Sequence, residues 1–246
     1  MASYNKKGSD IEAGIGNHQL YPMMQEPPQL RWAFIRKVYV ILAMQLLLTV
    51  GVAATVVFVR PIPQFILHTT PGLAIYIVFL ILTLIRVALA IACLFQASPM
   101  ELFFHGAVHD LHCVFAVGLS CALTKGRIVL EAAILTSVVV VGLTLYTFWA
   151  SKRGQDFSFL GPFLFSAVLV LIVFGLIQFL FPLGKWSLMI YGGLGAIVFS
   201  GFIVYDTGNL IKRFSYDEYI SAAISLYLDI INLFLALLNI FNAVDN

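Results

Sequence analysis

Seven stretches of this 246-residue chain are each long and apolar enough to cross a lipid bilayer as a helix. A helix needs about 20 apolar residues to span a hydrocarbon layer roughly 30 Å thick. The candidates run from about Val38 to Val59, Leu73 to Phe95, Leu102 to Leu123, Ile128 to Ala150, Phe159 to Phe181, Ser187 to Asp206 with a possible extension to Lys212, and Tyr219 to Phe241. Lipid offers backbone groups no hydrogen bonds, so only helices and closed barrels can cross it. These segments are too long and too continuously apolar for barrel strands. The fold class is therefore an all-α membrane protein with about seven transmembrane helices.

Composition removes the soluble alternative. Hydrophobic residues make up 61% of the chain and charged residues 11%. A soluble domain is roughly a quarter charged, and a chain of this size lacks the interior to hide so much apolar surface. The net charge of +2 and the lack of a basic block exclude a nucleic-acid partner. Cys93, Cys113 and Cys121 all sit in apolar runs. They read as buried small side chains, with neither a disulfide framework nor a metal-ligand spacing.

Residues 1–30 are polar, with Gly14, Gly16 and the Pro27-Pro28 pair. They lack the apolar core and cleavage site of a signal peptide and read as a flexible tail, with 31–246 as the membrane domain. Lysine and arginine set the orientation. Lys6, Lys7, Arg31, Arg36, Lys37, Lys152, Arg153, Lys212 and Arg213 fall on one side, against Arg60, Lys125, Arg127 and Lys185 on the other. The richer side is the cytosol, so the N-terminus is expected there. Seven full spans put the C-terminus outside, and a last segment that only dips into the bilayer would return it.

In the sixth candidate, Gly192, Ala196 and Ser200 recur every four residues, with Gly193 and Gly201 nearby. Small residues at that spacing let membrane helices approach closely.

Ionisable groups inside a span are costly and therefore informative. Arg86, Asp110, Glu131, Asp206 and Asp229 qualify. Asp229 lies ten residues into the last helix, roughly 15 Å deep at about 1.5 Å per residue. Ser221, Ser225, Asp229, Asn232 and Asn239 share one face of that helix, either an interhelical seam or a pathway wall. Asp206, followed by Asn209, lies eight residues before the short connection at 214–218, and Asp229 lies eleven after it. The last two helices are thus antiparallel neighbours with their aspartates at similar depth. Two carboxylates in contact cannot both ionise easily, so such a pair can share a proton, act as a pH-dependent latch or meet a hard cation such as Ca²⁺. Arg86 is a candidate counter-charge to the pair. It could equally snorkel to the interface or pair with Glu131, near the outer end of the fourth span.

Five strings resemble the Bax-inhibitor/Lifeguard family: Ile203-Val-Tyr-Asp-Thr207, Ser215-Tyr-Asp-Glu-Tyr219, Ser225-Leu-Tyr-Leu-Asp-Ile-Ile-Asn-Leu-Phe234, Leu143-Thr-Leu-Tyr-Thr-Phe-Trp149 and Asp156-Phe-Ser-Phe-Leu-Gly161. Leu30-Arg-Trp-Ala-Phe-Ile-Arg-Lys-Val-Tyr39 is similar to the plant Lifeguard branch. The resemblance implies seven helices around a central last helix and a pH-sensitive Ca²⁺ leak of internal membranes such as the endoplasmic reticulum. It also implies suppression of programmed cell death and stress responses, with the family's acidic pair at Asp206 and Asp229. Expected partners are the bilayer, Ca²⁺, H⁺ and other membrane cell-death regulators. No bound cofactor is expected, Ca²⁺ being the transported or sensed ion.

The resemblance lapses between about Ile85 and Cys113. Ser98-Pro99-Met100-Glu101 interrupts the apolar run, and His105, His109, Asp110 and His112 crowd the third candidate. The histidines share a helix face at metal-ligand spacing, but the abrupt loss and return of family character at Phe115-Ala-Val-Gly118 points instead to a local frame change or altered exon. Sequencing the transcript across this stretch tests that expectation. A non-conducting regulator acting through partner proteins is the alternative function. An intramembrane aspartyl protease fits poorly. Asp206-Thr-Gly208 occurs once, without the two β-lobes of soluble aspartic proteases, and Leu226-Tyr-Leu-Asp229 lacks the Gly-x-Gly-Asp context of helical ones.

Overall fold

In the computed structural model, the described residues are 20–21, 24–59, 113–181 and 183–245, with a few more between 61 and 78. They form α1 (Pro28–Phe58), α2 (Cys113–Ala122), α3 (Gly126–Lys152), α4 (Leu160–Leu180), α5 (Lys185–Lys212), a 3₁₀ turn (Tyr216–Glu218) and α6 (Tyr219–Asp245). Five of these helices are long and apolar enough to cross a membrane, and α2 is shorter. Most of the second candidate span and the N-terminal half of the third lie outside the described residues, as do Arg86, Asp110 and the histidines of 105–112.

The helix limits follow from local chemistry. Pro28 opens α1, where its missing N–H costs nothing. The α4–α5 connection turns at Gly184, whose φ of 82° suits glycine. The α3–α4 connection uses Gly154 at φ 87° in the same way. α1 begins ten residues earlier than the first apolar run, because the polar turn carrying Arg31 is already helical. Leu20 and Met24, in the segment read as a flexible tail, are buried in the main core, so at least this part of the tail is packed.

The last helix is the hub. α6 packs on α1, α3 and α5 and buries thirteen residues, whereas α4 buries only Leu164 and Leu171 and packs chiefly on α5. Close approach of α5 to α6 depends on Gly192. A Cβ there would lie 2.8 Å from the Ala236 carbonyl oxygen and 2.8 Å from Ile240 Cγ1. Gly195 faces Ala236 as well, and Gly201 meets Leu164 of α4. The small-residue stripe thus has two uses, one toward each neighbour.

The outer surface is apolar. Leu47, Phe58, Phe179 and Ile197 are 71%, 83%, 73% and 71% exposed. Leaving one such side chain in water forgoes roughly 1.5–3 kcal/mol, so this surface is built for lipid. Thr49, Thr136, Ser137 and Thr147 donate to the carbonyl four residues back on their own helices, which satisfies their hydroxyls within the bundle.

α3 and α6 are antiparallel, and their ends fix the two faces of the bundle. At one face, Arg213 approaches Asp156 at 3.6 Å and Lys212 donates to the Gln155 carbonyl. At the other, Lys125, just before α3, pairs with Asp245 at the end of α6. The last helix therefore runs the full depth of the bundle and ends opposite its start.

Candidate functional site

The connection between α5 and α6 is a tight six-residue link, Arg213 to Glu218. The Glu218 carboxylate accepts the Ser215 N–H at 2.8 Å and the Ser215 hydroxyl at 2.9 Å, a capping arrangement that starts the final helical run. In the adjoining α3–α4 loop, burial pushes the Asp156 carboxyl up. Hydrogen bonds from Ser158 and the charges of Arg213 and Lys212 outweigh it and hold the group below its ordinary range.

From this turn the two helices run back into the bundle side by side, and Asp206 and Asp229 meet. Their carboxyl groups lie close enough to act on each other electrostatically, with Asn209 one turn along α5 beside Asp206. Asp229 is 7% exposed, and its Oδ2 has no hydrogen-bond partner among the described residues. Two unit charges about 4 Å apart repel by about 4 kcal/mol at an effective dielectric of about 20. A proton shared between two neighbouring carboxyls removes such repulsion.

The other residues of the expected site divide. Asn209 joins the pair. Asn232 donates to the Leu228 carbonyl of its own helix at 2.8 Å, so its amide serves α6 itself. Ser225 is only partly buried on α6. Glu131 lies near the other end of the bundle, where it accepts from Arg127 at 2.8 Å and is 45% exposed, away from the pair. Arg86 lies outside the described residues.

Sequence reasoning missed a second polar group beside the pair. The Tyr39 hydroxyl of α1 approaches those of Thr144 on α3 and Thr207 on α5. Tyr39 Oη and Thr207 Oγ1 are both buried without a hydrogen-bond partner among the described residues. The signal was available. Thr144, Thr147 and Ser151 repeat at helical spacing along α3, and Thr207 adjoins Asp206. Elsewhere, a cavity of about 640 Å³ lies between α1, α2, α3 and α6, lined by residues such as Ala53, Cys121, Ala133, Ile230 and Phe234. It is apolar, and neither aspartate lines it. No cluster of three or more metal-ligating side chains occurs among the described residues.

A bundle of long apolar helices around a buried last helix defines a multi-pass integral membrane protein. The chain belongs to the family described as "Inhibitor of apoptosis-promoting Bax1", whose model matches residues 31–246. It is 60% identical to Protein LIFEGUARD 4 of Arabidopsis thaliana over 96% of each chain. It is 60% identical to Protein LIFEGUARD 2 of the same plant over 92% of this chain and 94% of the relative. It is also 37% identical to the Golgi anti-apoptotic protein of vaccinia virus, over 86% of this chain and 85% of that one. These matches place it in the plant Lifeguard branch of the Bax-inhibitor family.

Proposed function

We propose that this protein is a proton-sensitive, Ca²⁺-permeable leak of an internal membrane that restrains programmed cell death. The observation that carries the reading is the proximity of Asp206 and Asp229 inside the bundle. With the shared proton in place, the pair is closed on itself and weakly attractive to cations. When the proton leaves, two negative charges face each other, and a divalent cation relieves their repulsion. The oxygens on offer are those of the two carboxylates and Asn209, fewer than the six to eight a Ca²⁺ site collects, so the pair suits passage better than storage. The anti-apoptotic part of the reading rests on the relatives' names, and the endomembrane location on the word Golgi in one of them.

The test is Ca²⁺ flux through purified protein in liposomes at stepped pH. Wild-type flux is expected to fall as the pH falls, and Asp229→Asn is expected to abolish most of the flux and its pH dependence. Flux that is unchanged in Asp229→Asn removes the pair from the pathway.

A second reading has its own support, because the relatives' names speak of apoptosis and none of an ion. In it the chain is a non-conducting regulator that acts through partner membrane proteins. Cell protection that survives Asp206→Asn combined with Asp229→Asn favours this reading over the leak.

A further inference from the structure

The segment before α1 and the first turn of α1 are tied to the α5–α6 connector by an unusual set of contacts. Arg31 is a cation yet only 2% exposed, and a buried guanidinium needs partners to offset its lost hydration. Its Nη1 donates to the Phe214 carbonyl at 2.6 Å, and its Nη2 donates to Glu26 Oε2 at 2.7 Å. The guanidinium also lies 5.0 Å from the Tyr216 ring centre and 5.5 Å from that of Phe34. The Tyr216 hydroxyl donates to the same Glu26 oxygen at 2.6 Å. One carboxylate oxygen thus joins donors from opposite ends of the chain.

Contacts on either side extend the tie. Leu20 and Met24 are 6% and 7% exposed and belong to the main core. Lys212, at the end of α5, lies 6.0 Å from the Tyr21 ring centre. Lys37 of α1 lies 3.1 Å from the ring centre of Tyr219, the first residue of α6. The end of α5, the connector and the start of α6 are therefore all held from the same N-terminal stretch. The connector is short, so its position limits how far α5 and α6 can slide past each other. Asp206 is six residues from Lys212, the last residue of α5, about 9 Å along the helix at about 1.5 Å per residue.

We propose that residues 24–31, together with Leu20 and Tyr21, are an intramolecular strap that clamps the α5–α6 connector and so holds the helix register at which Asp206 and Asp229 meet. The clamp itself follows from the contacts, while its consequence for conduction rests on the reading of the acidic pair given above. Release of the strap frees the connector, lets the two helices shift and separates the carboxyls.

The experiment is hydrogen–deuterium exchange on the full chain in lipid nanodiscs, with Ca²⁺ flux measured on the same preparations. Tyr216→Phe keeps the ring over Arg31 and removes one hydroxyl. Arg31→Lys keeps the charge and removes the fork that reaches Phe214 and Glu26 together. Loss of a hydrogen bond to a charged group predicts that exchange of the amides of 213–219 rises about tenfold in Tyr216→Phe, with exchange in α3 and in 229–245 unchanged. Flux is expected to rise, with altered pH dependence. A rise of less than about twofold at 213–219 in both variants, or a rise spread evenly over all helices, overturns the strap. If the connector loosens but flux stays at the wild-type level while Asp229→Asn abolishes it, the coupling to the pair is overturned. If Asp229→Asn leaves flux intact as well, the failure belongs to the reading of the pair, and exchange alone decides the strap.

Discussion

Two adjacent glycines of α5 are expected to respond to the same substitution with opposite signs. Gly192→Ala puts a Cβ 2.8 Å from the Ala236 carbonyl oxygen and 2.8 Å from Ile240 Cγ1. Ile240 can rotate away, but the carbonyl belongs to the backbone of α6, the helix on which the bundle is centred, so relief requires α5 and α6 to separate. Overpacking of this kind costs about 1–3 kcal/mol, against a gain of at most about 1 kcal/mol for replacing a mid-helix glycine by alanine. Gly193→Ala meets nothing within 4 Å and keeps only the gain. For a chain of this length, 1 kcal/mol corresponds to about 2–4 °C in Tm. Thermal unfolding in detergent, followed by the fluorescence of Trp32, Trp149 and Trp186, should therefore show Gly192→Ala several degrees below wild type and Gly193→Ala slightly above it. Gly201→Ala should fall between them, because the atom it meets is the end of the Leu164 side chain, at 2.7 Å. A Gly192→Ala protein as stable as Gly193→Ala would refute the claim that backbone contact between α5 and α6 sets this interface.

Thr49 and Tyr227 share a buried hydroxyl–hydroxyl contact of 2.8 Å between α1 and α6. Thr49→Val is expected to cost about 1 kcal/mol by removing this buried hydrogen bond, and a double-mutant cycle with Tyr227→Phe should return a positive coupling, whereas additive effects would count against the contact. The Glu26 carboxyl is held below its ordinary value of 4.5, first by the Tyr216 hydrogen bond and then by Arg31, with burial acting the other way. A depressed carboxylate stabilises above its unfolded value and loses that contribution as pH falls through the folded one. The strap should therefore stay closed at and above pH 4.5 and loosen only below it, read as exchange at 213–219, and loosening near neutral pH would contradict this. Arg213 and Asp156 are half exposed at 3.6 Å, so Arg213→Gln should change stability by less than about 1 kcal/mol in the same unfolding assay.

Much of this was legible in the sequence because lipid makes the rules strict. Apolar length located the four long helices from α3 to α6 within a few residues, and α1 up to its polar first turn. Asp206 and Asp229 stood out because an ionisable group in a span is costly, and chain geometry alone brought them level beside a short turn. Gly192 was visible in its small-residue stripe. Other features were hidden for physical reasons. Asn232 shares a helical face with Asp229, but facing does not fix bonding, and an amide can satisfy itself on the carbonyl four residues back. Glu131 was legible as a residue near the outer end of its span, but its pairing with Arg127 one turn back was not read. The strap was the hardest to see. Glu26 lies in a polar leader, Arg31 looks like an ordinary charge near a helix start, and Tyr216 is 190 residues from its partner, a separation no local pattern encodes.

The most direct test of the account is whether Asp206 and Asp229 hold one proton between them within the bundle. Infrared difference spectroscopy across a pH step, on the protein in lipid, reads protonated carboxyl groups separately from ionised ones. The account predicts one carboxyl signal in the wild type that titrates as a unit and is altered or lost in both Asp206→Asn and Asp229→Asn. A signal that survives intact in both variants, or two aspartates that titrate independently, would contradict it.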